Sequence, residues 1–294
     1  MSTNPSAEET APYGTGAAGN TPAKPVRKVR THHLREMKQR GDKITMLTSY
    51  DMYSAQIFDE AGVDLLLVGD SASNNVLGNE TSLPVTVDEL LPLTRAVSRS
   101  VKRAMVVGDL PFGSYQASPE QGYLTAVRSM KEAGAHCVKL EGGAEMAPVI
   151  KKLVEGGIPV MAHIGLTPQS YHRMGGHRVQ GRESGRGAGQ HERLLDDAKA
   201  VQEAGAAAVV LEGIPRSLAA ELTKSLQIPT IGIGAGPDCD GQVLVLHDVI
   251  GLSGATFKFT KSWGDARGEI VRAIEAYGQE VRTGTFPDDA HSFH

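Results

Sequence analysis

Short apolar runs recur along the chain, and between them lie segments whose apolar residues return every three or four positions. "ITMLTSYD", "DLLLVGD", "AMVVGDL", "HCVKL", "PVMAHI", "AAVVLEG", "PTIGIGAG" and "QVLVLHDV" are too short for helices and rich in β-branched or aliphatic residues. They read as strands buried on both faces. The intervening segments at 52–61, 86–101, 118–134, 145–155, 191–204 and 216–226 have helical spacing. A last amphipathic helix is predicted from about 263 to 282. Boundary signals support the pattern: Thr86 or Asp88 starts one helix, and Ser118 with Pro119 and Glu120 starts another that Gly134 ends.

Strands alternating with helices imply parallel pairing through right-handed crossovers. An open doubly wound sheet would gather its ligand groups at one switch point. Here charged residues close strand after strand: Asp70, Asp109, Lys139 with Glu141, His163 and Glu212. That distribution, with about eight strands, favours a closed (β/α)8 barrel, whose site lies at the C-terminal rim. Residues 1–27 carry few large apolar groups and are expected to be a disordered tail, which leaves 28–294 as one barrel domain with its C-terminal helix.

Composition narrows the field without choosing a function. Of 294 residues, 40% are hydrophobic and 22% charged, with a formal net charge of −4. No basic surface for nucleic acid is implied, and no apolar run has the length of a membrane span. Two cysteines, Cys137 and Cys239, argue against a disulfide framework, and the chain is expected to stay in the cytosol. Cys137 reads as a core residue, while the role of Cys239 in "GPDCDG" is open. "GIGAGP" lacks the spacing of a dinucleotide or P-loop motif and reads as a tight turn.

A single strand-end Asp is as readily a turn or cap residue, and His163 taken alone reads as a hydrogen-bonded strand histidine. The set is harder to explain structurally. Side chains alternate along a strand, so Lys139 and Glu141 share a face. Two carboxylates about 4 Å apart repel by roughly 4 kcal/mol at an effective dielectric of 20, and one lysine cannot neutralise several of them. Oxygen ligands without metal-spaced Cys or paired His point to a hard divalent cation, Mg²⁺ rather than zinc. Such a cation suits a 2-oxo acid held through its carboxylate and ketone. Chelation acidifies the neighbouring carbon, a carboxylate can remove its proton, and metal and Lys139 can hold the enolate. Glu212, alone on its strand, is the candidate base.

At these residues the chain resembles the ketopantoate hydroxymethyltransferase family. The likeness runs from about Thr31 to Gly251 through "TSYD", "LLVGDS", "SLPVT", "GDLPFGSY", "VKLEGG", "PVMAHIGLTPQS", "GGHRVQGR", "VVLEGIP" and "IPTIGIGAGPDCDGQVLV". The ending "GTFPDDAHSFH" is similar to actinobacterial members. The resemblance implies a (β/α)8 barrel and a cytoplasmic homo-oligomer, commonly a homodecamer. It implies transfer of a one-carbon unit from 5,10-methylenetetrahydrofolate to 3-methyl-2-oxobutanoate, giving 2-dehydropantoate for pantothenate synthesis. By the same resemblance Asp70, Asp109 and Glu141 hold Mg²⁺, while Asp70, Ser71, Asp109 and Lys139 contact the oxo acid. Glu212 accepts the proton. Gly108, Gly213 and the pair Asn79 and Glu80 depart from the usual family pattern. The alternatives are a Mg²⁺-dependent carbon–carbon lyase of the isocitrate lyase or phosphonopyruvate type, and a non-catalytic barrel that binds an anionic metabolite. The lyases often carry a reactive loop cysteine, which 173–190 lacks. That segment reads as either a lid or a subunit contact.

Overall fold

A computed structural model describes residues 27–182, 189–254 and 257–293. The expected tail therefore lies, apart from Arg27, outside the described residues. Eight parallel strands close on themselves in chain order: β1 (Ile44–Thr48), β2 (Leu65–Val68), β3 (Met105–Asp109), β4 (Cys137–Glu141), β5 (Val160–Gly165), β6 (Ala208–Glu212), β7 (Thr230–Ile233) and β8 (Gly241–Leu244). The (β/α)8 reading is borne out.

Alternation along each strand sorts its residues into two cores. One set faces the barrel interior and forms a single cluster: Ile44 and Met46, Leu65 and Leu67, Met105 and Val107, Cys137, Met161, Ala208 and Val210, Ile231 and Val243. Cys137 is thus the core residue expected. The other set, including Val138, Leu140, Val160, Ala162, Val209 and Leu211, packs outward against the helices. This is why the strands read as unbroken apolar runs.

The helices form where their caps predicted. Thr86 and Glu89 make a reciprocal capping box on Val87–Ser100. The Ser118 hydroxyl accepts from Gln121 N at 3.1 Å, and Gly134 ends Pro119–Ala133 in the left-handed conformation at φ 74°. Two elements differ from the sequence reading. "QVLVLHDV" is strand only as far as Leu244; Leu246–Val249 turns into a short helix whose first N–H donates to the Thr48 hydroxyl. A further helix, Thr31–Arg40, precedes β1 and has only Leu34 and Met37 as its apolar signal. Leu34 is fully buried among the interior residues, so this helix closes that end of the barrel.

Outside the site, His136 gives a pH-dependent term. Its Nδ1 accepts from Val106 N at 2.9 Å. Burial, reinforced by Lys28 and Arg30, lowers its pKa to about 4. An unfolded chain protonates histidine near about 6.5, so between these values the unfolded state binds more protons. Stability is expected to hold above about pH 6.5 and to fall by about 1–2 kcal/mol towards pH 4, after allowance for solvent screening. Urea melts of the wild type and His136→Gln across this range should differ in slope by that amount; parallel curves would remove His136 as the cause.

Candidate active site

The interior face that carries aliphatic residues deeper in the barrel carries charges at its C-terminal end. Asp109, Lys139, Glu141, His163 and Glu212 continue the inward-facing series of β3, β4, β5 and β6. The strand register brings them together, pairing Asp109 with Lys139, Glu141 with His163, and Gly165 with Glu212. Asp70 and Ser71 follow β2 in the turn that leads to a short helix, Ala72–Asn75. Thus all six predicted positions, with His163, lie on one rim.

Their contacts form a continuous polar network. Lys139 Nζ donates to both Asp109 oxygens at 2.9 Å and lies 3.8 Å from Glu141 Oε1. Asp70 N donates to Asp109 Oδ2 at 3.0 Å. The Ser71 hydroxyl is 2.8 Å from Tyr50 Oη. His163 stands between two carboxylates, with Nδ1 3.4 Å from Glu141 Oε1 and Nε2 3.2 Å from Glu212 Oε2. Neither ring nitrogen is aligned for a hydrogen bond, and Glu141 Oε1 also lacks one.

Three residues of this network went unassigned in the sequence. His163 follows Met161 at the interior spacing, which was a usable signal. Gln169 gave none, because it reaches the rim only when the loop after β5 folds back. Its N–H donates to Glu141 Oε2 at 2.9 Å and its Nε2 to Asp70 Oδ2 at 3.0 Å. Tyr115, fully buried, donates to Gln169 Oε1 at 2.7 Å and accepts from Glu141 N at 3.0 Å.

Burial makes these charges strongly interdependent. Burial, followed by the charges of Asp109 and Glu141, pushes the Asp70 carboxyl up to about 8. Burial also raises Asp109, against the pull of Lys139. For Lys139, burial opposes the ammonium, but Asp109, Glu141 and Asp70 outweigh it and hold its pKa above the ordinary range. Burial likewise opposes ionisation of Glu141, yet His163, Lys139 and the Gln169 N–H bring its pKa down. His163 gains more from Glu141 and Glu212 than burial removes, and rises to about 9.

The charge balance defines what can bind. Asp70, Asp109, Glu141 and Glu212 face two cations, Lys139 and protonated His163, which leaves an excess of two negative charges when all four acids are ionised. A divalent cation supplies that balance. Among the described residues no three His, Cys, Asp or Glu side chains form a ready-made ligand cage. The donors are carboxylate oxygens, and an open set of this kind suits an ion that retains water and takes further oxygens from substrate. The unpartnered, buried Glu141 Oε1 is available to it.

The residues that depart from the family pattern also have local explanations. Gly213 has φ 57°, and a Cβ there would meet Leu166 Cβ at 3.1 Å. Its N–H donates to Ile233 O at 2.9 Å, while Glu212 O accepts from Leu166 N at 2.8 Å. The backbone around Glu212 is therefore fixed by its neighbours and is not loosened by the glycine. At Gly108 a Cβ would lie 2.5 Å from Ser129 Oγ, so the absence of a side chain lets the helix Pro119–Ala133 approach β3. The structure gives no account of Asn79 and Glu80 as departures. Both cysteines are buried, and burial pushes the Cys137 thiol up to about 12; neither is placed as a reactive loop thiol.

A closed parallel barrel with acids from separate strands converging at its C-terminal rim defines an enzyme of the (β/α)8 class. In fold the chain is similar to a phosphonopyruvate hydrolase solved with oxalate and Mg²⁺ (TM-score 0.58, 14% identity, 90% of this chain and 92% of that one). It is similarly related to 2,3-dimethylmalate lyase (TM-score 0.56, 18% identity, 90% and 89%). The particular family is set by sequence: the model for ketopantoate hydroxymethyltransferase matches residues 28–289, and the chain belongs to that family. It is 64% identical over 294 residues to the 3-methyl-2-oxobutanoate hydroxymethyltransferase of a Nocardioides species, covering 98% of both chains. The Arthrobacter protein of the same name is 56% identical over 296 residues, covering 98% of this chain and 96% of that one.

Proposed function

We propose that this protein transfers the one-carbon unit of 5,10-methylenetetrahydrofolate to 3-methyl-2-oxobutanoate, giving 2-dehydropantoate, with Mg²⁺ as its resident cation. Family membership supports the reaction. The observation that carries the chemistry is the rim with two surplus negative charges around Asp70, Asp109 and Glu141. These three residues would hold the metal, directly or through water. When bound, the metal polarises the ketone and acidifies the adjacent C–H.

Ser71 and Lys139 orient the oxo acid, and the Lys139 ammonium opposes the negative charge that develops on its oxygen. Glu212 takes the C3 proton. His163, 3.2 Å from Glu212 Oε2, holds that carboxylate in place and favours its ionised form before the transfer. A C–C bond then forms between C3 and the folate's methylene carbon, a C–N bond of the folate breaks, and one water supplies the hydroxyl. Tyr115 and Gln169 fix Glu141 and Asp70 relative to each other.

No helix of the described residues is long and apolar enough to cross a membrane. A cytoplasmic location remains part of this proposal, as does assembly into a homo-oligomer, a homodecamer by family resemblance. The helix Ala266–Thr283 supports assembly, because Ile270, Val271, Ile274 and Tyr277 are exposed on it.

Proton NMR in D₂O with 3-methyl-2-oxobutanoate and Mg²⁺ tests the chemistry. Loss of the C3–H signal without folate, abolished by EDTA, is the expected result. Product formation with folate but no exchange without it would overturn the separate deprotonation step.

A further inference from the structure

Beside the charged rim lies a cavity of about 530 Å³ between the loops after β4 and β5. Its inner end touches Glu141, Tyr115 and Gln169, but not Asp70, Asp109 or Lys139. It is therefore continuous with the site without being the seat of the oxo acid. Its size falls within the roughly 300–1,000 Å³ typical of pockets for drug-sized ligands, far more than a five-carbon acid fills.

The walls change character from inside to outside. Phe112, half-exposed, stands at the mouth, and Met146, Ile164, Met174 and Leu194 supply apolar surface. This composition suits a flat aromatic body, since aromatic rings and methionine sulfur pack favourably on ring faces and edges. The outer edge carries three guanidinium groups, on Arg173, Arg178 and Arg193. Arg173 and Arg193 lie 4.0 and 3.8 Å from Glu145 Oε1, and Arg193 is also 3.6 Å from Asp197. Among the described residues Arg178 has no carboxylate within ion-pair distance, so it is the rim's available anion-binding group. Arginine suits a carboxylate because its planar fork can donate two parallel hydrogen bonds.

Resting on the reaction proposed above, we infer that this cavity is the binding site of the folate. Its ring system lies against Phe112 and the methionines, its one-carbon end points towards Glu141, and its glutamate tail meets Arg178 and the neighbouring arginines. The ligand class follows from the wall chemistry: a long molecule, aromatic along its body and anionic at its far end. It also places the two substrates on adjoining sides of Gln169, which separates the cavity from Asp70. The arrangement predicts that folates with additional glutamates bind more tightly, because each adds a carboxylate at a cationic edge.

Steady-state kinetics with mono- and triglutamyl 5,10-methylenetetrahydrofolate test the assignment, with the wild type, Arg178→Gln and Arg178→Lys. The triglutamyl form is expected to have a several-fold lower KM in the wild type. Arg178→Gln should raise the folate KM about tenfold, the effect of losing one charge-assisted contact, and should bring the two folates closer together. The KM of the oxo acid should stay near its wild-type value, and Arg178→Lys should recover part of the effect. Normal wild-type turnover with an unchanged folate KM in Arg178→Gln would overturn the placement alone. Failure of the wild type to use folate would overturn both the placement and the reaction on which it rests. Because Arg178 is exposed, its replacement is not expected to impair folding, and a thermal melt of each variant verifies this.

Discussion

Replacing Glu212 with glutamine is expected to lower turnover by roughly 10²–10⁴-fold, the range for loss of a general base. The amide keeps the side chain's size but cannot accept the C3 proton. Exchange of that proton in D₂O should fall by a similar factor, while the oxo acid's KM changes little. Glu212 suits this role by its position: it ends the inward-facing series of β6 with its side chain 18% exposed, open to a substrate, and Oε2 lies 3.2 Å from His163 Nε2. Steady-state turnover and solvent exchange together check the assignment. A variant that exchanges at the wild-type rate would remove Glu212 from the chemistry. Unchanged ligand affinity with no turnover in the wild type itself would favour the non-catalytic barrel.

The second large effect concerns stability. Lys139→Met leaves Asp109 and Glu141 facing each other without the ammonium that lies 2.9 Å from both Asp109 oxygens. Lys139 and Asp109 side chains are only 5% and 1% exposed, so water cannot take over. Breaking such a buried pair costs about 3–5 kcal/mol. Without Lys139, Asp109 in the folded protein would be raised further above its unfolded value. The folded state then binds more protons than the unfolded state, so the penalty is largest at high pH and eases as pH falls. Thermal melts should show a smaller deficit at about pH 5 than at about pH 8. Lys139→Met combined with Asp109→Asn should recover part of the loss, since the remaining charge is then removed. An equal deficit at both pH values would overturn this account.

Much of this architecture was readable from alternation alone. The strands announced themselves because both faces are buried, and Ser118, Thr86 and Gly134 marked helix ends through local hydrogen-bond chemistry. Thr31–Arg40 escaped because a helix that plugs a barrel end needs only Leu34 and Met37 to bury. The end of β8 was misread because Val245 and Leu246 continue the apolar run after the chain has turned. At the rim, period-two spacing placed Asp109, Lys139, Glu141 and Glu212 together before any coordinates did. The same spacing applied to His163, but a histidine's neighbours in adjacent strands decide its charge, and register is not visible in one sequence. Gln169 and Tyr115 depend on loop paths, which local sequence does not encode.

Gly108 and Ser129 occupy a shared volume where β3 meets the helix that follows it. An alanine at 108 would leave the serine hydroxyl nowhere to sit unless it rotated or was lost. These two positions are therefore interlocked like a key and its ward, and a substitution at one sets what the other can tolerate. Asp109 is the very next residue, so a misfit there would be transmitted directly into the aspartate's aim.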